Sequence, residues 1–161
     1  MPLEIRRAVK GDEPLILQFI RALADYEQLA HECVATEADL TRSLFGEPPQ
    51  AEVLFAYDGG DAVGFALFCH NYSTFLARRG LWLEDLFVLP QHRGRGIGLL
   101  LLKELARIAV ERECGRMEWW VLDWNESAIG FYEKLGARPM DEWTVFRLTG
   151  ESLEALAATT R

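Results

Sequence analysis

The stretch QHRGRGIG carries the residues of this sequence that are best suited to holding an anion. Gly94, Gly96 and Gly98 occupy alternate positions between an apolar run and a long helical pattern, with Arg93 and Arg95 among them. A helix N-terminus leaves backbone N–H groups unpaired and carries partial positive charge, and glycine lets a phosphate approach those groups closely. The pattern predicts a phosphate-binding turn, and the alternative is a tight glycine-rich turn without a ligand.

The two common nucleotide-binding loops do not fit this stretch. A Walker loop requires GxxxxGK[ST], which does not occur in the sequence. A dinucleotide fingerprint requires GxGxxG after an apolar strand, whereas the spacing here is GxGxG and the preceding strand contains Glu84 and Asp85. The anion is therefore not expected to be held by either of these loops.

The acidic pair Glu84 and Asp85, together with Tyr132, are the side chains with the chemistry for proton transfer. The pair lies in the predicted strand LWLEDLFVL, where side chains alternate between faces, so only one of the two carboxylates is expected to point at a given site. Tyr132 lies in GFYEKLG, two helical turns after Asn125, and its phenol can donate a proton. The alternatives are a solvated or ion-paired strand carboxylate and an amphipathic core tyrosine.

Composition and charge limit the possible functions. The chain has 161 residues, half of them hydrophobic, which predicts one domain over 1–161. Its formal net charge of -8 argues against a nucleic-acid partner and suits a cationic substrate, although negative charge also serves solubility. The sequence shows no secretory signal, no membrane span and no ligand spacing among its three cysteines and three histidines, so a cytoplasmic protein without a metal is expected.

The periodicities of the sequence predict elements in the order β-α-α-β-β-β-α-β-α-β. After the strand LEIRRAV, Asp12 and Thr36 are placed to cap two helices, and the turn DGGD then joins two strands into a hairpin. The segment STFLARRG is a predicted loop before LWLEDLFVL, and a helix follows from about Gly94 to Glu113. The strand RMEWWVLDW, the helix NESAIGFYEKLGA and the strand EWTVFRLT complete a mixed sheet, and the tail GESLEALAATTR adds a final helical turn or frays.

Two of these stretches, QHRGRGIG and WNESAIGFYEKLGA, together resemble a known family. The first matches the Q/R-x-x-G-x-G/A signature of the GCN5-related N-acetyltransferases (the GNAT superfamily), and the second resembles the family's later Asn…Tyr segment. The predicted order of elements is also the family's order. Within the family, YEQLAHECVATEADL, FGEPP and LEDLFVLPQHRGRGIG are most similar to the diamine (spermidine/spermine-type) and thialysine acetyltransferases. The resemblance covers essentially the whole chain and implies an α/β GNAT domain with a catalytic core over about 3–149.

The resemblance implies an enzyme that moves an acetyl group from acetyl-CoA to a primary amine by direct attack. It places the glutamate of LE near the acceptor amine, so Glu84 is favoured over Asp85 as the base, directly or through water, and Tyr132 is the expected acid at the thioester sulfur. Backbone N–H groups around Phe87 and Val88 are expected to bind the carbonyl oxygen. The cofactor contacts that the resemblance implies are Leu86, Phe87, Val88, Arg93, Gly94, Arg95, Gly96, Ile97, Gly98, Leu99, Asn125 and Lys134.

The acceptor is expected to be a small primary amine, and similar enzymes are homodimers, which the resemblance implies here too. In diamine acetyltransferases the segment comparable to HNYSTFLARRG carries an aspartate for a distal ammonium, whereas here Ser73 and Thr74 stand near that place. Hydroxyls also fit a zwitterionic, lysine-like acceptor, so polyamine, diamine and lysine-like amines all remain open. The expected substrate-binding residues are Tyr26, Glu27, Ser73, Thr74 and Glu84.

Two further functions are open alternatives. A protein with the same fold could acetylate a protein lysine or N-terminus. A non-catalytic acyl-CoA-binding module that regulates a partner is the alternative from another class. The presence of both Glu84 and Tyr132 argues against the module, because a pure binder needs only the glycine turn.

Overall fold

A computed structural model describes residues 2–159 of the chain, which divides into two units, Met1–Leu122 and Asp123–Arg161. Two short 3-10 turns, Ala30–Glu32 and Pro90–His92, interrupt the loops of the first unit. The expectation of one domain over 1–161 stays a prediction. The elements are, in the first unit, β1 (Leu3–Arg7), α1 (Glu13–Tyr26), α2 (Glu37–Leu44), β2 (Glu52–Asp58), β3 (Asp61–Ser73), β4 (Arg78–Val88), α3 (Ile97–Glu111) and β5 (Met117–Trp119), and in the second unit α4 (Glu126–Lys134) and α5 (Gly150–Ala158).

The first unit is built on a mixed five-stranded sheet in the order β1-β2-β3-β4-β5. β1 to β4 pair antiparallel, and β4 and β5 pair parallel because α3 connects them as a crossover helix. The α/β class and the mixed sheet are therefore confirmed. None of the helices in residues 2–159 combines the length and the hydrophobicity needed to cross a membrane.

One face of the sheet packs against α1 and α2. Phe19 from α1 lies 5.9 Å from Phe55 on β2 and 5.3 Å from Phe65 on β3, measured between ring centroids, and all three side chains are buried. Phe87 on β4 belongs to the same cluster. This helix-covered face matters for the site, because the C-terminal end of α1 lies over β4.

The other face of the sheet packs against α3. Its buried strand residues alternate with those of the first face, as the two-residue period of a strand requires, and they include Leu54, Ala66 and Phe68. Ile97 and Leu101 of α3 are buried here, and a Cβ added at Gly64 would lie 3.3 Å from Cγ2 of Ile97. This close approach fixes the start of α3 against the ends of β3 and β4.

The N-termini of α1 and α2 test the predicted capping residues. Thr36 accepts a hydrogen bond from the N–H of Asp39, and the Asp39 side chain accepts one from the N–H of Thr36, so α2 begins with a capping box. Asp12 occupies the N-cap position of α1, but its carboxylate accepts from the N–H of Val9 and caps no helical N–H. The prediction of the helix start was right, and the prediction of the capping bond at Asp12 was wrong.

Three predicted segments of the first unit differ from the structure. Half of the segment STFLARRG is strand, because β3 continues to Ser73 and β4 begins at Arg78, with a four-residue turn between them. The fifth strand covers only Met117–Trp119 of RMEWWVLDW. The helix predicted from Gly94 begins at Ile97, because Gly94 and Gly96 have a left-handed backbone that a right-handed helix cannot include.

The second unit contains α4 and α5, and it lacks the predicted last strand within the described residues. The segment EWTVFRLT is irregular, and Trp143, Val145 and Phe146 are exposed. A strand needs a neighbouring strand for its backbone hydrogen bonds, and the described part of this unit contains none. The tail, predicted as a helical turn or a frayed end, forms α5 over nine residues, and its last two residues lie outside the described range.

Candidate active site

An irregular step in β4 determines the geometry of the site. Leu67 of β3 pairs with Asp85, while the next residue of β3, Phe68, pairs with Leu83. Glu84 is therefore an extra residue with no partner across the ladder, which is a β-bulge. The bulge lies two residues after Trp82, where β4 is leaving its short pairing with β5.

The bulge brings Glu84 and Asp85 to the same face of the sheet. Asp85 pairs with Leu67 and Trp82 pairs with Cys69, and Leu67 and Cys69 share the helix-covered face because they are two residues apart on β3. Glu84 joins them there, because its Oε2 accepts a 2.8 Å hydrogen bond from Nε1 of Trp82. The expectation that only one of the two carboxylates could face the site was wrong, since a bulge breaks the alternation on which it rested.

Three carboxyl groups form a carboxylate cluster on this face: Glu84 and Asp85 from β4, and Glu27 from the end of α1. Burial, and then the charges of Glu84 and Glu27, raise the pKa of Asp85 to about 7. Burial, followed by the charge of Glu84, also raises the pKa of Glu27. The same two causes raise the pKa of the Cys69 thiol. Concentrated negative charge of this kind attracts a cation, and a carboxyl that titrates near neutral pH can exchange protons there.

The bulge also decides which backbone groups of β4 face its free edge. Before the bulge, the N–H of Leu81 donates to the carbonyl of Arg116 on the β5 side. After the bulge, the N–H of Leu89 donates to Val63 of β3, so the groups of Val88 point away from β3. β5 pairs only with Leu81–Leu83, so the N–H groups of Leu86 and Val88 lie on an edge that no described strand covers. Of the two donors expected from the sequence, Val88 faces this edge and Phe87 faces β3.

Arg93 connects the glycine turn to α1 and β4. Its guanidinium carbon lies 4.8 Å from the ring centroid of Tyr26 and 5.1 Å from that of Phe87, and the two rings are 6.1 Å apart. Its Nε donates a 2.9 Å hydrogen bond to the carbonyl of Val88. Arg93 was expected to contact the cofactor. In this structure its side chain binds the end of β4 and packs on the ring of Tyr26.

The glycine turn leaves the N-terminus of α3 accessible. Gly94 and Gly96 both have φ of +78°, a conformation that glycine adopts without a steric penalty, and Gly96 is the N-cap residue. No side chain of the described residues caps this terminus, so the N–H groups of its first turn have no helical partner. A Cβ added at Gly94 or Gly96 would meet nothing within 4 Å, so the space beside the turn is open to a ligand.

The remaining residues of the turn divide between backbone and side-chain roles. The Ile97 side chain is buried in the core, so only its backbone can bind a ligand. Arg95 forms a 2.7 Å ion pair with Asp58 at the end of β2, and Nη1 of Arg95 lies 3.2 Å from Nδ1 of His92. The hydrogen bond from Arg95 lowers the pKa of Asp58. Three other residues were expected to contact the cofactor here. Leu86 lies near the end of β4, and Gly98 and Leu99 lie in the first turn of α3.

Ser73 and Thr74 lie away from the carboxylate cluster. Ser73 is the last residue of β3, it is buried, and its Oγ accepts a hydrogen bond from the N–H of Leu76 in the hairpin turn. Ser73 lies six positions along β3 from Leu67, the partner of Asp85, which corresponds to roughly 20 Å along a strand. The structure therefore brings Tyr26, Glu27 and Glu84 together within one chain but does not bring Ser73 and Thr74 to them.

Asn125, Tyr132 and Lys134 lie in the second unit on one short helix. The side chain of Asn125 caps α4 by accepting from the N–H of Ala128 at 3.4 Å, as expected for a helix that begins at WNESA. The ring of Tyr132 lies 5.5 Å from that of Phe131, and Lys134 is the exposed last residue of the helix. Their roles toward a cofactor stay predictions.

Sequence reasoning did not place Asp85 and Trp82 in the site beside Glu84. Strict alternation allowed only one of the two carboxylates and the resemblance favoured Glu84, so Asp85 was set aside, and no residue type in the sequence signals the bulge that breaks the alternation. Trp82 was not among the residues selected from the sequence, although its spacing of two residues from Glu84 on a strand is the spacing at which side chains share a face. Within residues 2–159, no three His, Cys, Asp or Glu side chains are grouped in a way that could hold a metal ion.

Comparison with known proteins finds a matching family model and several similar proteins. The acetyltransferase (GNAT) family model matches residues 18–137. The thialysine N-epsilon-acetyltransferase of Bos taurus is 39% identical, with 95% of this chain and 96% of that protein covered. The L-ornithine N5-acetyltransferase of Arabidopsis thaliana is 34% identical, with 94% and 86% covered. The solved structure of an integron cassette protein from the mobile metagenome of V. cholerae matches with a TM-score of 0.81 and 31% identity over 99% of both chains.

Proposed function

The chain belongs to the acetyltransferase (GNAT) family and is an N-acetyltransferase, as its motifs predicted, and we propose that it acetylates the side-chain amine of a small, lysine-like amino acid with acetyl-CoA as the donor. The observation that carries this proposal is the carboxylate cluster beside the open edge of β4. The cluster provides negative charge for an alkylammonium, and the open edge provides backbone donors for a carbonyl oxygen.

The residues around the glycine turn fit the donor. The uncapped N-terminus of α3 and the open space at Gly94 and Gly96 suit a pyrophosphate. The helix N-terminus attracts the phosphate charge, and the glycines let the phosphates come close to the backbone N–H groups. Acetyl-CoA, when bound, supplies an acetyl group activated as a thioester. The N–H of Val88 on the free edge of β4 is the donor that we assign to the thioester carbonyl oxygen.

The carboxylate cluster prepares the acceptor. An alkyl amine has a pKa near 10.4, so it arrives almost entirely as an ammonium and must lose a proton before it can attack. We assign proton removal to Glu84, directly or through a water molecule, a role worth roughly 10²–10⁴ in rate. Glu27 and Asp85 hold the arriving cation by their charge, and the Tyr26 ring, beside Arg93, forms the neighbouring wall.

Tyr132 is the residue that we assign to protonating the departing thiolate. The assignment rests on the family resemblance of WNESAIGFYEKLGA and on the chemistry of a phenol, whose ordinary pKa near 10 suits proton donation to a developing thiolate. Asn125 and Lys134 are proposed donor contacts on the same helix, α4. A homodimer and a cytoplasmic location are also proposed by resemblance, and sedimentation velocity tests the first.

The choice of a lysine-like amino acid over a polyamine draws on the relatives as well as on the cluster. Two relatives of similar length are named for thialysine and ornithine, which are amino acids that end in a primary amine. The sequence lacks an acidic residue between His70 and Leu83 for the distal ammonium of a polyamine. The carboxylate cluster thus provides one cation-binding site, which we assign to the reacting amine.

The test is CoA release from acetyl-CoA in the presence of thialysine, ornithine, lysine, spermidine, putrescine or a lysine-bearing peptide, with the product identified by mass spectrometry. We expect transfer to one or more of the amino acids, with kcat/KM at least tenfold above that for the peptide. Transfer to the peptide alone would favour a protein acetyltransferase. Tight acetyl-CoA binding without transfer to any amine would favour a regulatory acyl-CoA-binding module.

A further inference from the structure

Trp82 makes a specific contact with the proposed base. Its indole Nε1–H donates a 2.8 Å hydrogen bond to Oε2 of Glu84, at the normal length for an N–H···O bond. The two residues are separated by one position on β4, so their side chains leave the sheet on the same side. Because a carboxylate has two oxygens and the indole contacts Oε2, Oε1 remains available for a water or an amine.

A second tryptophan holds the indole of Trp82 in place. The ring of Trp120 lies 5.2 Å from that of Trp82 at an interplanar angle of 83°, an edge-to-face contact of the kind that aromatic pairs prefer. Trp120 directly follows β5, and β5 pairs in register with β4 at Trp82. The indole is therefore restrained by the strand it belongs to and by the segment after the neighbouring strand, with its N–H directed at Glu84.

We propose that Trp82 is a positioning residue that fixes the carboxylate of Glu84 for proton removal from the acceptor amine. This inference rests on the proposed function, in which Glu84 is the base. Trp82 contributes no charge and does not itself take part in proton transfer.

The surroundings of Glu84 explain why a positioning donor is needed. Glu27 from α1, Asp85 from β4 and the Cys69 thiol from β3 are the titratable groups whose interactions with Glu84 the structure shows. The two carboxylates repel the charge of Glu84, and Glu84 is exposed, so its side chain would otherwise turn toward solvent. A neutral N–H donor stabilises the ionised carboxylate in place, and it leaves the negative charge of the cluster available to the substrate.

The test compares Trp82→Phe, which keeps an aromatic ring but removes the N–H, with Trp82→Tyr, which keeps a donor. For Trp82→Phe we expect kcat to fall roughly tenfold, the effect of one hydrogen bond to a charged group. We also expect the KM for acetyl-CoA to stay within twofold. Trp82→Tyr should retain more activity than Trp82→Phe. Trp143→Phe, at an exposed indole of the second unit, is the matched control and should change none of these values.

A double-mutant cycle separates positioning from a general structural effect. Since Trp82 acts through Glu84, adding Trp82→Phe to Glu84→Gln should lower kcat no further. An equal tenfold loss in that background would overturn the inference. If Trp82→Phe does not fold, as judged by circular dichroism, Trp82→Tyr decides in the same cycle.

A readout that does not need turnover distinguishes this inference from the proposed function. The indole N–H resonance of Trp82, assigned by its loss in Trp82→Phe, should shift when Glu84→Gln replaces the charged acceptor. It should not shift with Glu4→Gln, which removes a carboxylate on β1, three strands away from β4 in the sheet. Absence of acetyl transfer by the wild-type protein would refute the proposed function and the catalytic part of the inference. If the indole resonance does not shift in Glu84→Gln, the contact itself is refuted, even in an active enzyme.

Discussion

Glu84 is the extra residue of the bulge in β4, and the bulge makes its side chain part of the carboxylate cluster. Glu84 is therefore the first residue to test. Glu84→Gln should lower kcat by roughly 10²-fold at pH 7, because the amide cannot accept the proton of the ammonium. The loss should shrink as pH rises, since a growing share of the amine is then neutral without a base. The measurement is kcat and kcat/KM between pH 6.5 and 9.5 with the best acceptor from the amine panel.

The control for this prediction is Glu4→Gln, which removes a carboxylate on β1 that lies 2.8 Å from Nη2 of Arg6. It changes the net charge by the same amount and should leave the pH profile unaltered. A Glu84→Gln variant whose deficit is the same at every pH would exclude Glu84 as the base.

Asp85 carries a stability prediction that is independent of catalysis. Because its pKa is raised to about 7 by burial and by the charges of Glu84 and Glu27, the folded protein holds this proton more tightly than the unfolded chain does. The stability that this proton uptake contributes is present below about pH 4 and is lost as pH rises toward 7. Asp85→Asn removes the loss, since an amide has no charge to bury.

We expect the free energy of unfolding of Asp85→Asn, relative to wild type, to become more favourable between pH 5 and pH 8 by on the order of 2 kcal/mol, allowing for partial solvent screening. Urea denaturation at the two pH values measures it. Asp61→Asn, at the exposed first residue of β3, is the control and should show no such pH dependence. A constant difference for Asp85→Asn would mean that Asp85 is ionised at no cost.

At the scale of elements, the start of α3 combines a backbone requirement with an open approach. Gly96→Ala places a Cβ on a residue with φ of +78° and into the space beside the helix N-terminus. We expect a loss of stability of about 1 kcal/mol from the left-handed backbone and a loss of acetyl-CoA affinity of tenfold or more from the obstructed turn. Thermal unfolding and isothermal titration calorimetry measure the two effects.

Gly11→Ala separates these two effects. Gly11 also has a positive φ, of +108°, and a Cβ added there meets nothing within 4 Å, but it lies in the turn before α1. It should cost stability without changing acetyl-CoA affinity. If Gly96→Ala and wild type bound acetyl-CoA with equal affinity, the pyrophosphate would not bind at this turn.

The elements that the sequence predicted well are those whose signals are local. The apolar spacing of α1, the capping pair of α2 and the glycines before α3 act within one or two helical turns, and each element begins within three residues of its predicted start. The bulge at Glu84 depends on how β4 meets two neighbours at once, which no local pattern encodes. The segment EWTVFRLT has the alternation of a strand, but alternation specifies a face and supplies no partner strand. The site followed the same division: the glycine turn before α3 could be predicted from the sequence, and the convergence of Glu84 with Asp85 could not.

At the scale of the whole molecule, the net charge of -8 acts on the two proposed substrates in opposite senses. An alkylammonium is attracted toward the protein, and the carboxylate cluster gives that attraction a local target. Acetyl-CoA carries phosphates and is repelled by the same field, so its binding depends on the N-terminus of α3 at short range. Salt screens the long-range field over roughly 10 Å at 0.1 M, whereas contacts at short range are screened less.

Raising the ionic strength should therefore separate the two substrates. Between about 0.02 and 0.3 M salt, where the screening length shortens from about 20 Å to about 6 Å, we expect kcat/KM for the amine to fall about threefold or more. Over the same range the KM for acetyl-CoA should stay constant or decrease, because repulsion is being removed. Steady-state kinetics with each substrate varied in turn measures this, and Glu27→Gln should reduce the salt dependence for the amine. A parallel loss for both substrates would indicate general inhibition by salt, and the excess of acidic residues would then serve solubility and not substrate attraction.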